Sequence, residues 1–149
     1  MRILVMNGPN LNFLGKRDSQ KYGNVTLGGI NKELLKCAKK IGYELVFFQS
    51  NHEGSLIDFL QKEALNLDGI IINPGALVRY AYCLRAALID TKLPVIEVHL
   101  SDINKTGIRK DVNVLDDVTF EKVMGLKEKS YYLALEKMIN HLKGGKKWN

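Results

Sequence analysis

Two short stretches of this sequence carry groups that can move protons. Glu97 and His99 lie two apart in Val95-Ile96-Glu97-Val98-His99, so on a strand their side chains leave the same face. A carboxylate beside an imidazole favours the protonated ring and fixes its tautomer, which suits a general acid at a strand's carboxyl end; a purely structural hydrogen bond uses the same pattern. Arg17 and Tyr22 lie five apart in a loop that begins Asn7-Gly8-Pro9-Asn10-Leu11-Asn12. A guanidinium held near a phenol favours the phenolate, so this pair is either a general base with its activator or a surface arginine and a half-buried tyrosine. The amides of the same loop, Asn10 among them, can hold a substrate oxygen or a water as donor and acceptor together. Asn73, in Asn73-Pro74-Gly75-Ala76, is a turn former or a ligand group. Arg109-Lys110 could clamp an anion or stand in solvent. Glu53, after His52, reads as a helix-dipole or capping partner rather than a metal ligand.

The elements that must position these groups follow from apolar patterning. Residues 3–6, 44–48, 69–72 and 95–99 read as strands, and 118–124 as a weaker fifth. Between them, 27–41, a segment striped by Leu56, Ile57, Leu60 and Ala64, and 80–89 read as helices, and Tyr132, Leu135, Met138 and Leu142 stripe a last one. Strands alternating with helices predict an α/β fold with a parallel sheet and helices on both faces, most simply the flavodoxin-like order 2-1-3-4-5. Ligands bind such sheets beyond the carboxyl ends of the strands, where the order reverses. The segments 7–24, 73–79 and 99–113 are therefore where chemistry is expected, and two of them are long for connections.

Composition narrows the classes. At 149 residues, 46% hydrophobic and 26% charged, the chain fits one globular domain, 1–149, with a tail over 144–149 expected to fray. A chain of this size buries roughly 70% of its unfolded surface and needs no staple. No apolar run approaches the length of a membrane span, and the six residues before Asn7-Gly8-Pro9 are too few for a secretory signal, so a cytoplasmic protein away from membranes is expected. Cys37 and Cys83 lack zinc or redox spacing and read as buried free thiols. The net charge of +6 could serve an anion or nucleic acid, but no nucleic-acid motif occurs and none is expected as a partner. Neither a GxGxxG nor a GK[ST] string is present, which disfavours a phosphate or nucleotide binder.

Taken together, the strings resemble the type II 3-dehydroquinate dehydratase family. The resemblance rests on Asn7-Gly8-Pro9-Asn10-Leu11-Asn12 with Gly15, Arg17 and Tyr22-Gly23, on Phe47-Phe48-Gln49-Ser50-Asn51-His52-Glu53-Gly54, on Ile71-Ile72-Asn73-Pro74-Gly75-Ala76, on 94–101 and on Tyr132-Leu133-Ala134-Leu135, in that order. It implies a flavodoxin-like subunit assembling through trimers into a dodecamer, with no metal or organic cofactor. The implied reaction, a step of the shikimate pathway, removes water from 3-dehydroquinate through an enolate to give 3-dehydroshikimate. By the same resemblance Tyr22 is the base, Arg17 its activator, and Asn10 the residue holding a water near the enolate oxygen. His99 is the acid for the departing hydroxyl, with Glu97 orienting it. Asn73 and the backbone amides of Leu100 and Ser101 bind substrate, the amides meeting its carboxylate.

The chain also departs from the family pattern. Arg79 stands where the family has His, and Ala86 where it has an Asp contributed across a subunit boundary. Seven residues apart, the two are expected on one face of the helix over 80–89, with Arg79 reaching into the site toward a substrate hydroxyl or an anion. The loop after Ser101 is a residue short, so Arg109 takes the hydroxyl-binding role, or Lys110 if nothing is deleted. Gly-Leu-Gly becomes Gly125-Leu126-Lys127. These changes keep open a second reading, a weak or idle paralogue that binds a cyclic carboxylate or another anion.

Overall fold

The computed structural model describes residues 1–144. Its strands are β1 Arg2–Asn7, β2 Glu44–Gln49, β3 Gly69–Asn73, β4 Val95–His99 and β5 Glu121–Met124. They form one all-parallel sheet in the order β2-β1-β3-β4-β5, the expected arrangement. The helices are α1 Ser19–Tyr22, α2 Leu27–Lys40, α3 Glu53–Glu63, α4 Tyr82–Thr91 and α5 Lys129–Lys143. None of the described helices is long and apolar enough to cross a membrane. Of the tail expected to fray over 144–149, all but Gly144 lies outside the described residues.

The three inner strands are buried from end to end, apart from Arg2 at the start of β1, because both of their faces are covered. Ile3, Val5, Ile71, Ile96 and Val98 pack against α2 and α5, whereas Leu4, Met6, Ile70, Ile72 and Val95 pack against α3 and α4. Each such buried aliphatic side chain contributes roughly 2 kcal/mol. By the same alternation, Glu97 and His99 fall on the α3/α4 side. The chain that follows β4 wraps over that side, where Ile103, Val114, Leu115 and Val118 join the core. Helix α2 starts where the Thr26 hydroxyl accepts from the Gly29 amide at 3.1 Å and buries the stripe Ile30, Leu34, Ala38.

Four expectations are corrected. Position 79 is not on the helix that carries position 86: Gly75–Arg79 is a separate 3₁₀ turn, and the chain breaks at Tyr80-Ala81 before α4 begins at Tyr82. Tyr80 and Tyr82 count as apolar in the pattern but are 61% and 66% exposed, which placed the helix start too early. Strand β5 begins at Glu121 rather than at Val118, which caps a turn and packs into the core. Both cysteines are exposed, since Leu34 and Ala38, and Leu84 with Ala87 and Leu88, carry the buried faces of their helices. The buried stripe of α5 is Tyr131, Ala134, Leu135, Met138 and Ile139, a rotation away from the face marked by Tyr132 and Leu142.

Candidate active site

The strand order reverses between β1 and β3, and there Asn7 and Asn73 end the two strands in register. Both are buried, and the phenol of Tyr131 on α5 joins them. The Tyr131 hydroxyl donates to Asn7 Oδ1 at 2.5 Å and accepts from Asn73 Nδ2 at 2.9 Å. Full burial pushes the Tyr131 phenol well above its ordinary ionisation range, so it stays neutral and can donate. Asn73 Oδ1 accepts from the Gly75 amide at 3.1 Å, which fixes the orientation of its side chain. The loops leaving the two strands touch at glycine. The Gly8 amide donates to Asn73 O at 2.7 Å, and a Cβ on Gly8 would stand 2.5 Å from Pro74 O.

On this floor the first loop builds one wall. Asn10 adopts φ 69°, which asparagine tolerates better than most residues. Its backbone amide donates to Asn51 Oδ1 at 3.0 Å, and Gln49 Nε2 donates to the same oxygen at 3.1 Å and to Gly8 O at 3.2 Å. Asp18 then caps α1 by accepting from the Gln20 amide at 2.9 Å, and Gly23 at φ 80° ends the helix after one turn. Arg17 and Tyr22 therefore flank a single helical turn, and the guanidinium carbon lies 3.9 Å from the centre of the Tyr22 ring. The cation stacks on the ring face, an electrostatically favourable placement.

The opposite wall comes from β4 and its loop. His99 Nε2 lies 2.6 Å from Glu97 Oε1, which leaves Nδ1 for the cavity. Both residues are buried, Glu97 completely. Asn113 Nδ2 donates to the two Glu97 oxygens at 2.9 and 3.0 Å. Beyond His99, the amides of Leu100 and Ser101 have no hydrogen-bond partner among the described residues, which makes them ready donors for an anion.

A cavity of about 450 Å³ opens between these walls. It is lined by Asn10, Arg17, Tyr22, Asn73, Arg79, His99, Leu100, Ser101 and Arg109, nine of the ten residues singled out from the sequence. Glu97, the tenth, lies behind His99. Arg79 lines the cavity, but its two terminal nitrogens donate to Val112 O at 2.5 Å and Ile103 O at 2.6 Å rather than into open space. Arg109 sits on the rim with φ 53° and pairs with Asp111 at 3.4 Å. Glu53 accepts from the Leu84 amide at 3.0 Å and so caps α4 from the neighbouring helix. Among the described residues no three His, Cys, Asp or Glu side chains converge as a metal site would require.

Sequence reasoning gave no role to Asn7 and Asn51, though both stand in the strings it matched, and missed Asn113 and Tyr131. The signal at hand was polarity: Asn7 ends β1, Asn51 follows β2, Asn113 stands in the long connection after β4, and Tyr131 brings a hydroxyl into an apolar helix face.

Comparison with known proteins agrees with this architecture. The description of dehydroquinase class II matches residues 1–139. A protein of Roseiflexus castenholzii named 3-dehydroquinate dehydratase is 48% identical over 139 residues, covering 93% of this chain and 88% of its own. One of the same name from Halothermothrix orenii is 44% identical over 144 residues, 97% of each chain. The crystal structure of the type II dehydroquinase from Butyrivibrio crossotus superposes with a TM-score of 0.89 at 38% identity, covering 93% of this chain and 97% of that one. With the match running through every loop that lines the cavity, the chain belongs to the class II dehydroquinase family.

Proposed function

We propose that this chain is a 3-dehydroquinate dehydratase that works through an enolate, with Tyr22 as base and His99 as acid. The observation that carries the reading is the convergence, in one cavity, of an Arg17-stacked phenol, a carboxylate-backed imidazole and two unpartnered backbone amides. Their chemistry matches what the reaction needs. A hydrogen next to a ketone is weakly acidic, so its removal requires a matched base and stabilisation of the enolate.

In this mechanism the substrate carboxylate sits on the Leu100 and Ser101 amides. The Tyr22 oxygen takes the proton next to the ketone, and the bond electrons form the enolate. Asn10 holds a water against the enolate oxygen. Collapse of the enolate restores the ketone, forms the carbon–carbon double bond and expels the hydroxyl, which takes a proton from His99 and leaves as water. Exchange with solvent then returns Tyr22 and His99 to their starting states. Glu97 orients the imidazole, Arg17 offsets the phenolate charge, and Asn73 and Arg109 bind ring oxygens.

The reading extends to assembly, as trimers forming a dodecamer, and to a cytoplasmic setting. Supporting self-association, Tyr82, Ala86 and Ile89 lie at i, i+4 and i+7 on α4 and leave an exposed apolar face along the helix. The second reading, an idle paralogue that binds a cyclic carboxylate, draws on Ala86 and on the commitment of Arg79 to loop carbonyls. An absorbance assay for the conjugated enone carboxylate, on purified protein with 3-dehydroquinate, separates them. Turnover that disappears in Tyr22→Phe is expected; binding without turnover in the wild type would leave the idle paralogue.

A further inference from the structure

The carboxylate of Glu97 is completely buried, and among the described residues its side-chain partners are His99 and Asn113. The Asn113 amide nitrogen straddles both carboxylate oxygens, at 2.9 and 3.0 Å. Its own oxygen accepts from the Leu115 amide at 2.8 Å, so the group cannot turn over without losing that bond. The residues on either side of Asn113 are fastened to two consecutive residues of the turn after β3. Val112 O accepts from Arg79 at 2.5 Å, and the Val114 amide donates to Val78 O at 2.8 Å. The second terminal nitrogen of Arg79 holds Ile103 O at 2.6 Å, near the start of the same loop. One guanidinium thus ties together the beginning of the loop, which lines the cavity, and its end, which reaches the carboxylate.

We propose that Asn113 is a positioning residue for the acid step and that Arg79, by bracketing the 103–112 loop, holds it there; this rests on the dehydratase reading above. A carboxylate bonded on one oxygen alone can rotate about its last side-chain bond, and the imidazole it orients then wanders. Two contacts from Asn113 fix the carboxylate plane, and with it the direction of His99. An arginine suits the bracketing role because its fork donates to two carbonyls at once, which a lysine or a neutral histidine cannot do in the same geometry. Loop seating and acid orientation become one event: when the loop settles over the cavity, Asn113 reaches Glu97.

The test uses Asn113→Asp, which keeps an oxygen for the Leu115 amide but turns a carboxylate oxygen toward Glu97 in place of the donor, and Asn113→Ala, which removes the donor without adding a charge. A hydrogen bond to a buried charge corresponds to about a 10- to 100-fold effect. The turnover number is expected to fall by that factor while KM stays within about 3-fold. Exchange of the substrate's acidic hydrogen with solvent, which depends on Tyr22, should persist. In a His99→Ala background the same change should add nothing, because the group it orients is gone. Asn113→Ala, measured alongside with a thermal melt, guards against misfolding of the carboxylate variant, and Arg79→Lys should lose part of the turnover and raise KM as the loop loosens. Unchanged turnover in both Asn113 variants, or a loss that adds in full to that of His99→Ala, overturns the proposal. A wild-type protein with no turnover at all overturns the dehydratase reading on which it stands.

Discussion

Replacing Tyr131 by Phe removes one hydroxyl from the buried network behind Asn73 and leaves the ring in place. Two partners are stranded by the change. Asn7 Oδ1 loses a donor at 2.5 Å and Asn73 Nδ2 an acceptor at 2.9 Å, in residues only 1% and 2% exposed. A buried polar group left without its partner costs about 1–3 kcal/mol, and the hydroxyl's own desolvation is recovered, so the net loss is about 2–4 kcal/mol. For a chain of this size that lowers Tm by roughly 4–16 °C. The same substitution changes the pH dependence. Burial raises the Tyr131 phenol above its ordinary value of 10.0, so below that pH both folded and unfolded chains hold the proton and stability is level. Above it the unfolded chain releases a proton that the folded chain retains, and stability falls by up to about 1.4 kcal/mol per pH unit. Urea denaturation of both proteins from pH 8 to 11, at one protomer concentration, reads the two effects together. The wild type should be more stable at pH 8 and should lose that advantage as the pH climbs past 10. Equal stability at pH 8, or a parallel fall in the alkaline range, would refute the bridge between Asn7 and Asn73.

Arg17→Ala leaves the Tyr22 ring without its stacked cation and should cost about 100-fold or more in turnover, read in the enone assay; a rate near wild type would remove Arg17 from the base. Gly8→Ala would drive a methyl to 2.5 Å from Pro74 O, backbone that cannot step aside cheaply, so a loss of about 1–3 kcal/mol and a drop in activity are expected in a thermal melt and the same assay. Tyr82→Glu places a charge on the exposed apolar face of α4 and should move sedimentation toward smaller species; an unchanged profile would exclude that face from the assembly.

The fold was legible because its signals are local. Runs such as Ile70-Ile71-Ile72 mark strands covered on both faces, and the alternation of strands and helices implies a parallel sheet, for which 2-1-3-4-5 is the simplest order. The pairing of Glu97 with His99 was legible for the same reason, since a period of two puts them on one face. What the sequence hid depends on separations that no local pattern encodes. Tyr131 meets residues 58 and 124 positions away, and Asn113 meets a carboxylate 16 positions back. Arg79 was misplaced because Tyr80 and Tyr82 imitate a buried stripe, while the break at Tyr80-Ala81 carries neither glycine nor proline. Within α5, Tyr131 and Tyr132 are adjacent aromatics, and patterning alone chose the wrong one for the core.

The central claim is a division of labour, with Tyr22 removing the carbon-bound proton and His99 supplying the one that leaves with the hydroxyl. Exchange of the acidic hydrogen of 3-dehydroquinate with deuterated solvent, followed by NMR beside product formation, separates those steps in Tyr22→Phe and His99→Ala. The account predicts that His99→Ala keeps exchanging while forming almost no product, and that Tyr22→Phe does neither. Exchange surviving in Tyr22→Phe, or vanishing in His99→Ala along with turnover, would contradict it.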